Sequence, residues 1–289
     1  MPQTMKIANV TILLVLTGML AGCTGANDPA AEARAGARGA RANNAPIAVT
    51  STYLAAALAD LLGERTALLP LAAPGMCPGH FDLRPSQVRQ LRQCGLLVRF
   101  DFQQSLDSRL SDHATDPPEI VSVRLPGGMC EPASYQAACE QLAVALVRLG
   151  RLGQTEADAR LAAIADRIEQ LSTWSVTRIE QAGLAAAPVL CSGHQAGFCR
   201  FLGLNAVATF SAADTAQPSQ IDRAVKQGQQ QAVRLIVANL PEGRQLADAL
   251  ADRLGATVVV FGNSPEGDAT DAFDQLVRRN VEALIRARS

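Results

Sequence analysis

Three short stretches of this 289-residue chain place thiols and imidazoles where they could hold a ligand. In Pro74-Gly75-Met76-Cys77-Pro78-Gly79-His80, a thiol and an imidazole stand three residues apart. The prolines and glycines deny the segment regular structure, so its side chains can be aimed at a ligand instead of being tied to a ladder. The second stretch is Gly127-Gly128-Met129-Cys130-Glu131-Pro132, and the third is Cys191-Ser192-Gly193-His194. Sulfur and nitrogen donors in tetrahedral array suit zinc, and thiolates equally suit Cu(I). Cys77, His80, Cys130, Cys191 and His194 are therefore the candidate metal ligands. The competing chemistry is a Cys191/His194 thiolate–imidazole pair. The chain has no C-x-x-C, G-x-S-x-G, glycine-rich phosphate loop or H-E-x-x-H, so no catalytic constellation is complete and the reading is a binder, not an enzyme.

The elements around these stretches alternate short aliphatic runs with helical patterns, which predicts α/β architecture with mainly parallel sheets. Strands are expected at 46–51, 66–69, 95–100 and 119–125, with helices at 53–62, 102–110 and 133–149 and one starting at Pro85. From Gln154 to Ala182 there is neither Pro nor Gly, and Leu161, Ile164, Ile168, Leu171 and Ile179 recur at three- and four-residue steps. Such a helix is roughly 43 Å long at 1.5 Å per residue, enough to run from one lobe to another. The alternation then resumes, with strands at 188–190, 205–209, 234–238 and 257–261 and helices at 195–202, 219–231, 244–254 and 270–287. The expected organisation is an N-terminal lobe at 46–150, a connecting helix at 151–186 and a C-terminal lobe at 187–289. Ligands of open α/β sheets sit beyond the strand C-termini, where the Cys-bearing loops fall.

The chain start decides the compartment. Lys6, the apolar run Val10 to Leu20 and the small residues before Cys23 predict a signal peptide over 1–22. Leu20-Ala21-Gly22-Cys23 resembles a bacterial lipobox, which makes Cys23 the lipid-modified first residue of an exported protein held at the periplasmic or cell-surface face of a membrane. Residues 23–45 lack aromatic and branched aliphatic side chains up to Asn44 and read as a flexible tether. The net charge of −1 with scattered basic residues argues against nucleic acid, and 4% aromatics argues against a stacking surface. Beyond Cys23 six cysteines remain, an even number that an oxidising compartment permits to pair, with the pairing open. Cys94 reads as a buried small hydrophobe, Cys139 and Cys199 as core or disulfide partners, His113 as a solvated loop residue and Trp174 as a packing residue.

Ile47-Ala48-Val49-Thr50-Ser51-Thr52-Tyr53-Leu54, the Pro74-Gly75 loop running into Phe81-Asp82-Leu83-Arg84-Pro85-Ser86, the long central helix and Gly203-Leu204 together resemble the zinc/manganese solute-binding proteins of ABC importers. The resemblance implies two α/β lobes joined by one rigid helix, a zinc ion (alternatively manganese or copper(I)) in the interlobe cleft, and delivery to an ABC permease. It implies three His and one Asp or Glu as ligands, and here the chain departs. Gly79 stands at the first His position with His80 one step late, and Gly127 stands at the second with Cys130 three residues on. His194 is the counterpart of the third. The fourth falls in Phe261-Gly262-Asn263-Ser264-Pro265, where no carboxylate stands and Glu266 and Asp268 are nearest.

Overall fold

The computed structural model describes residues 45–63, 66–72, 76, 83–111, 118–267 and 269–288. Cys23, the tether to Asn44, Cys77, His80, His113 and Asp268 lie outside them.

Among the described residues the order is β1 (Ile47–Val49), α1 (Thr52–Leu62), β2 (Leu68–Pro70), α2 (Pro85–Leu91), β3 (Leu96–Phe100), α3 (Ser105–Ser111), β4 (Glu119–Val123), α4 (Pro132–Arg148) and α5 (Gln154–Gln181). The second half follows as β5 (Pro188–Ser192), α6 (Ala196–Phe201), β6 (Asn205–Phe210), α7 (Pro218–Gln230), β7 (Leu235–Asn239), α8 (Gln245–Leu254), β8 (Thr257–Phe261) and α9 (Ala272–Ala287). Two four-stranded parallel sheets result, ordered β2-β1-β3-β4 and β6-β5-β7-β8. The inner strands β1, β3 and β7 are buried at every residue, as strands covered on both faces must be, and so read as mainly apolar runs, with Arg99 and Asn239 the polar exceptions.

Each sheet repeats the same winding. The chain enters on an inner strand, crosses to one edge, returns past its start and finishes at the other edge. The reversal falls between β1 and β3 in one sheet and between β5 and β7 in the other, and the loops leaving those strands diverge to open a crevice at their carboxyl ends.

α5 joins the halves. Its 28 residues span about 42 Å, and Ala157, Ile164, Ile168, Leu171, Ser175 and Ile179 form its buried stripe. It packs on α1 and α4 of the first half and α9 of the second. One continuous apolar cluster runs from Ile47 and Val98 through Leu142 and Ile168 to Val237 and Leu284, so the two sheets share a core. Tyr135 of α4 stacks on Phe273 of α9 at 4.0 Å between ring centroids. Among the described residues no helix is long and apolar enough to cross a membrane.

Candidate functional site

The crevice of the second sheet is built from the ends of its two inner strands. β5 stops at Ser192, and a single 3₁₀ turn, Gly193–Gln195, carries the chain into α6. β7 stops at Asn239, and a second 3₁₀ turn, Leu240–Glu242, follows. These turns bring His194 and Glu242 together: Nδ1 of the imidazole hydrogen-bonds Oε1 of the carboxylate, and the Ser192 hydroxyl donates to Oε2 at 2.6 Å. Ser192 also accepts the backbone N–H of His194 at 3.2 Å, so one hydroxyl ties both partners to the strand end. The hydrogen bond to Glu242 holds the His194 pKa above the ordinary histidine value. Burial opposes ionisation of Glu242, yet the bonds from His194 and Ser192 prevail and hold its carboxyl below the usual range. With Nδ1 committed to the carboxylate, Nε2 is the nitrogen left for another partner, on a side chain that is 68% exposed.

His194 and Glu242 line a cleft of about 1050 Å³ whose other wall comes from the first half. Glu131, immediately before α4, lies in a cradle of glycines. Its Oε1 accepts the Gly128 N–H at 2.5 Å, and a Cβ at Gly127 or Gly197 would stand 2.7 or 1.9 Å from its carboxylate oxygens. Gly197 belongs to α6, so this carboxylate fills space left by missing side chains on both walls. Asn263, just past β8, also lines the cleft, and its buried Oδ1 has no hydrogen-bond partner among the described residues. An imidazole nitrogen, a carboxylate and an amide oxygen are all electron-pair donors, the chemistry of a cation site.

The cysteines lie elsewhere. Cys130 is buried, its thiol 3.0 Å from the Gly262 carbonyl oxygen with Asn280 Nδ2 3.6 Å from the sulfur. Asn280 also clasps the Gly262 backbone, its Oδ1 accepting from the N–H and its Nδ2 donating to the C=O, each at 3.0 Å. Burial pushes the Cys130 thiol up to about 12, which keeps it protonated and makes it a contact between the halves. Strand alternation sends Cys191 away from Leu190, into the core face with Phe198, Cys199 and Phe261. Cys139 is buried in α4, and the Cys94 thiol donates to Gln90 O at 3.6 Å. Thus of Cys130, Cys191 and His194, the structure brings only His194 to the cleft, and the thiolate–imidazole pairing of Cys191 with His194 is absent because Cys191 is buried in the core while His194 turns to Glu242. Among the described residues no three His, Cys, Asp or Glu side chains gather as a metal cluster.

Glu242, Glu131 and Asn263 were not singled out as donors from the sequence. For Glu242 the available signal was a carboxylate in a turn, Leu240-Pro241-Glu242-Gly243, at the carboxyl end of an apolar strand.

Among solved structures, the chain is similar to the Mn-bound periplasmic metal binding protein from candidatus Liberibacter asiaticus, with a TM-score of 0.70 and 13% identity over 84% of this chain and 98% of that one. It is similar to ZnuA, with a TM-score of 0.69 and 14% identity over 85% and 99% of the respective chains. It also matches the solute-binding protein FpvC from Pseudomonas aeruginosa in complex with Mn2+, with a TM-score of 0.69 and 16% identity over 84% and 98%. At such identities these likenesses establish the fold, two α/β lobes around a connecting helix. Comparison with curated proteins gives no match. The sequence model of the family described as zinc-uptake complex component A, periplasmic, matches residues 47–287, nearly everything after the expected tether, and the chain belongs to that family.

Proposed function

We propose that this protein is an exported, lipid-anchored solute-binding protein that captures a transition-metal ion, zinc in the first instance, and presents it to the permease of an ABC importer. The observation that carries the reading is the His194–Glu242–Ser192 chain. A carboxylate that takes Nδ1–H fixes the tautomer and ring orientation and raises the basicity of Nε2, the arrangement that prepares a histidine to bind a metal. Membership of a zinc-uptake family supports it, as do the metal-binding names of the structural neighbours. His194 is then the anchoring ligand from the second half, with His80 and Cys77 as donors from the first. Glu131 and Asn263 line the same cleft. Cys130 and Cys191 stay inside as buried thiols, and Cys23 carries the lipid.

The test is calorimetric titration of metal-free, reduced protein with Zn(II), Mn(II) and Cu(I). One-to-one zinc binding that disappears in His194→Ala and in His80→Ala supports the assignment. Uptake of none of the three metals sinks it and leaves a family member that has lost its cargo. The anchor has its own test: Cys23→Ser moves the protein from the membrane fraction to the soluble one.

A further inference from the structure

The cleft is far larger than a metal ion. Its volume of about 1050 Å³ lies at the upper end of the roughly 300–1,000 Å³ that small-molecule sites occupy, whereas a bare ion needs only the space between its donor atoms. The three donors proposed above, His194 among them, also leave zinc one position short of four.

His194, Gly197 and Arg200 follow at three-residue steps along the 3₁₀ turn and α6, so they share one face of that wall. The carboxylates of the cleft are mostly taken. Glu131 fills the space beside Gly197 and accepts the Gly128 N–H, Glu242 is held by His194 and Ser192, and Asp101 by Arg124 at 2.7 Å. Arg200, exposed on the cleft, makes no hydrogen bond or ion pair among the described residues. A guanidinium left unpaired there repels a bare dication, and its planar fork matches a carboxylate. Asn263 has the opposite need. It is 7% exposed, and its buried Oδ1 is an acceptor that lacks a donor, a cost relieved only by a ligand that brings an N–H or O–H. The third feature is Phe102, on the turn after β3, 59% exposed at the cleft with its ring stacked on Phe100 at 5.2 Å between centroids. It offers an apolar platform to a flat side chain. A carboxylate, an N–H donor and a side chain are the three parts of an α-amino acid.

We propose that the cleft takes its metal as a complex with a free α-amino acid, whose carboxylate pairs with Arg200, whose amino N–H meets Asn263 Oδ1 and whose side chain lies toward Phe102. The amino acid supplies the donor that the chain does not, and His194 Nε2 holds the ion from the protein side. The proposal rests on the metal-capture reading and names the form in which the cargo arrives. It also gives Arg200 a task, since the cation that opposes a naked ion favours one carried by an anion.

The probe is zinc with L-histidine, which chelates through nitrogen and oxygen and brings a flat ring. Metal-free, reduced full-length protein is dialysed to equilibrium against zinc, radiolabelled histidine or both, and bound zinc and bound label are counted separately. The expected result is one histidine retained per zinc, and little retained without zinc. Arg200→Gln, a change at an exposed side chain, weakens histidine retention about tenfold or more, as loss of a charge-assisted hydrogen bond requires, while zinc alone binds as it does to the unaltered protein. Asn263→Leu also lowers retention. Zinc bound with histidine left outside, merely competing for the ion, overturns the proposal and leaves the metal-capture reading intact. No zinc in any arm defeats both, and the separate zinc count tells the two failures apart. Histidine retained equally without zinc, or unchanged in Arg200→Gln, also overturns the proposal. Labelled citrate, which offers carboxylates but no N–H, is expected to stay outside, and its equal retention with zinc removes the amino-acid class.

Discussion

Arg167 closes on Asp60 with two prongs, Nη1 at 2.9 Å from Oδ1 and Nη2 on Oδ2, joining the middle of α5 to α1. The same guanidinium places Nε 3.2 Å from Oδ1 of Asp274 in α9 and donates to the Thr270 carbonyl, so one side chain binds three helices from both halves. Asp60 is 2% exposed at its side chain and receives one further bond, from the Tyr135 hydroxyl at 2.7 Å.

Removing the cation leaves that carboxylate buried without its counter-charge. Arg167→Met is expected to destabilise the protein by about 3–5 kcal/mol, because breaking a buried pair costs more than the pair itself contributes. Arg167→Met/Asp60→Asn recovers most of the loss. Urea unfolding of the two variants checks this, and equal stabilities refute it.

The His194–Glu242 bond sets a pH dependence with a definite sign. The folded pKa of His194 is raised above the ordinary histidine value, with the Glu242 hydrogen bond as the leading cause, so the stabilisation from the charged pair is complete below that ordinary value and fades as pH rises through the folded one. Metal at Nε2 competes with this proton. Zinc affinity therefore drops by about tenfold per pH unit below the raised pKa, with one proton released per ion bound at His194. Glu242→Gln returns the imidazole toward the ordinary histidine value in an NMR titration and weakens zinc by about 10- to 100-fold. An unmoved imidazole pKa in that variant counts against the pairing.

Cys130 separates a donor role from a structural one. Cys130→Ala removes the contact to Gly262 O but leaves that carbonyl bonded to Asn280, so the expected cost is about 1 kcal/mol. The zinc titration curve is expected to superpose on that of the unaltered protein. A lost or strongly weakened site in this variant returns the thiol to the list of ligands.

Gly262 has no room for a methyl group. A Cβ there stands 2.9 Å from Cδ1 of Leu276, a residue 2% exposed in the shared core and unable to swing outward. Gly262→Ala costs about 1–3 kcal/mol by overpacking, and Leu276→Ala in the same chain relieves part of it. Thermal melts of the single and double variants read the difference.

Much of this fold was legible in the sequence because parallel strands covered on both faces leave a plain record. Leu96 to Phe100 and Leu235 to Asn239 are buried throughout and apolar but for Arg99 and Asn239, and the uninterrupted periodicity from Gln154 gave α5 to within a residue of its end at Gln181. Strand order was not legible, since periodicity says which face a residue takes and nothing about which strand lies alongside. The site divides in the same way. His194 stood out as an imidazole at a strand end, whereas the pairing of Glu242 with it was not legible, because the two are 48 residues apart and meet only when β5 and β7 pair. Cys191 looked like a donor by residue type, but alternation along β5 turns it into the core.

The shared core and the unbroken α5 bear on how long a cargo would stay. A binding protein with a flexible hinge adds the free energy of closure to its hold on a ligand and can release by reopening. Here Cys130 on Gly262, Tyr135 on Phe273 and Arg167 across three helices leave little such motion to draw on. On the proposed reading, residence time would then follow from how fast individual donor atoms exchange on the ion, and release would proceed at the rim of the cleft, one bond at a time.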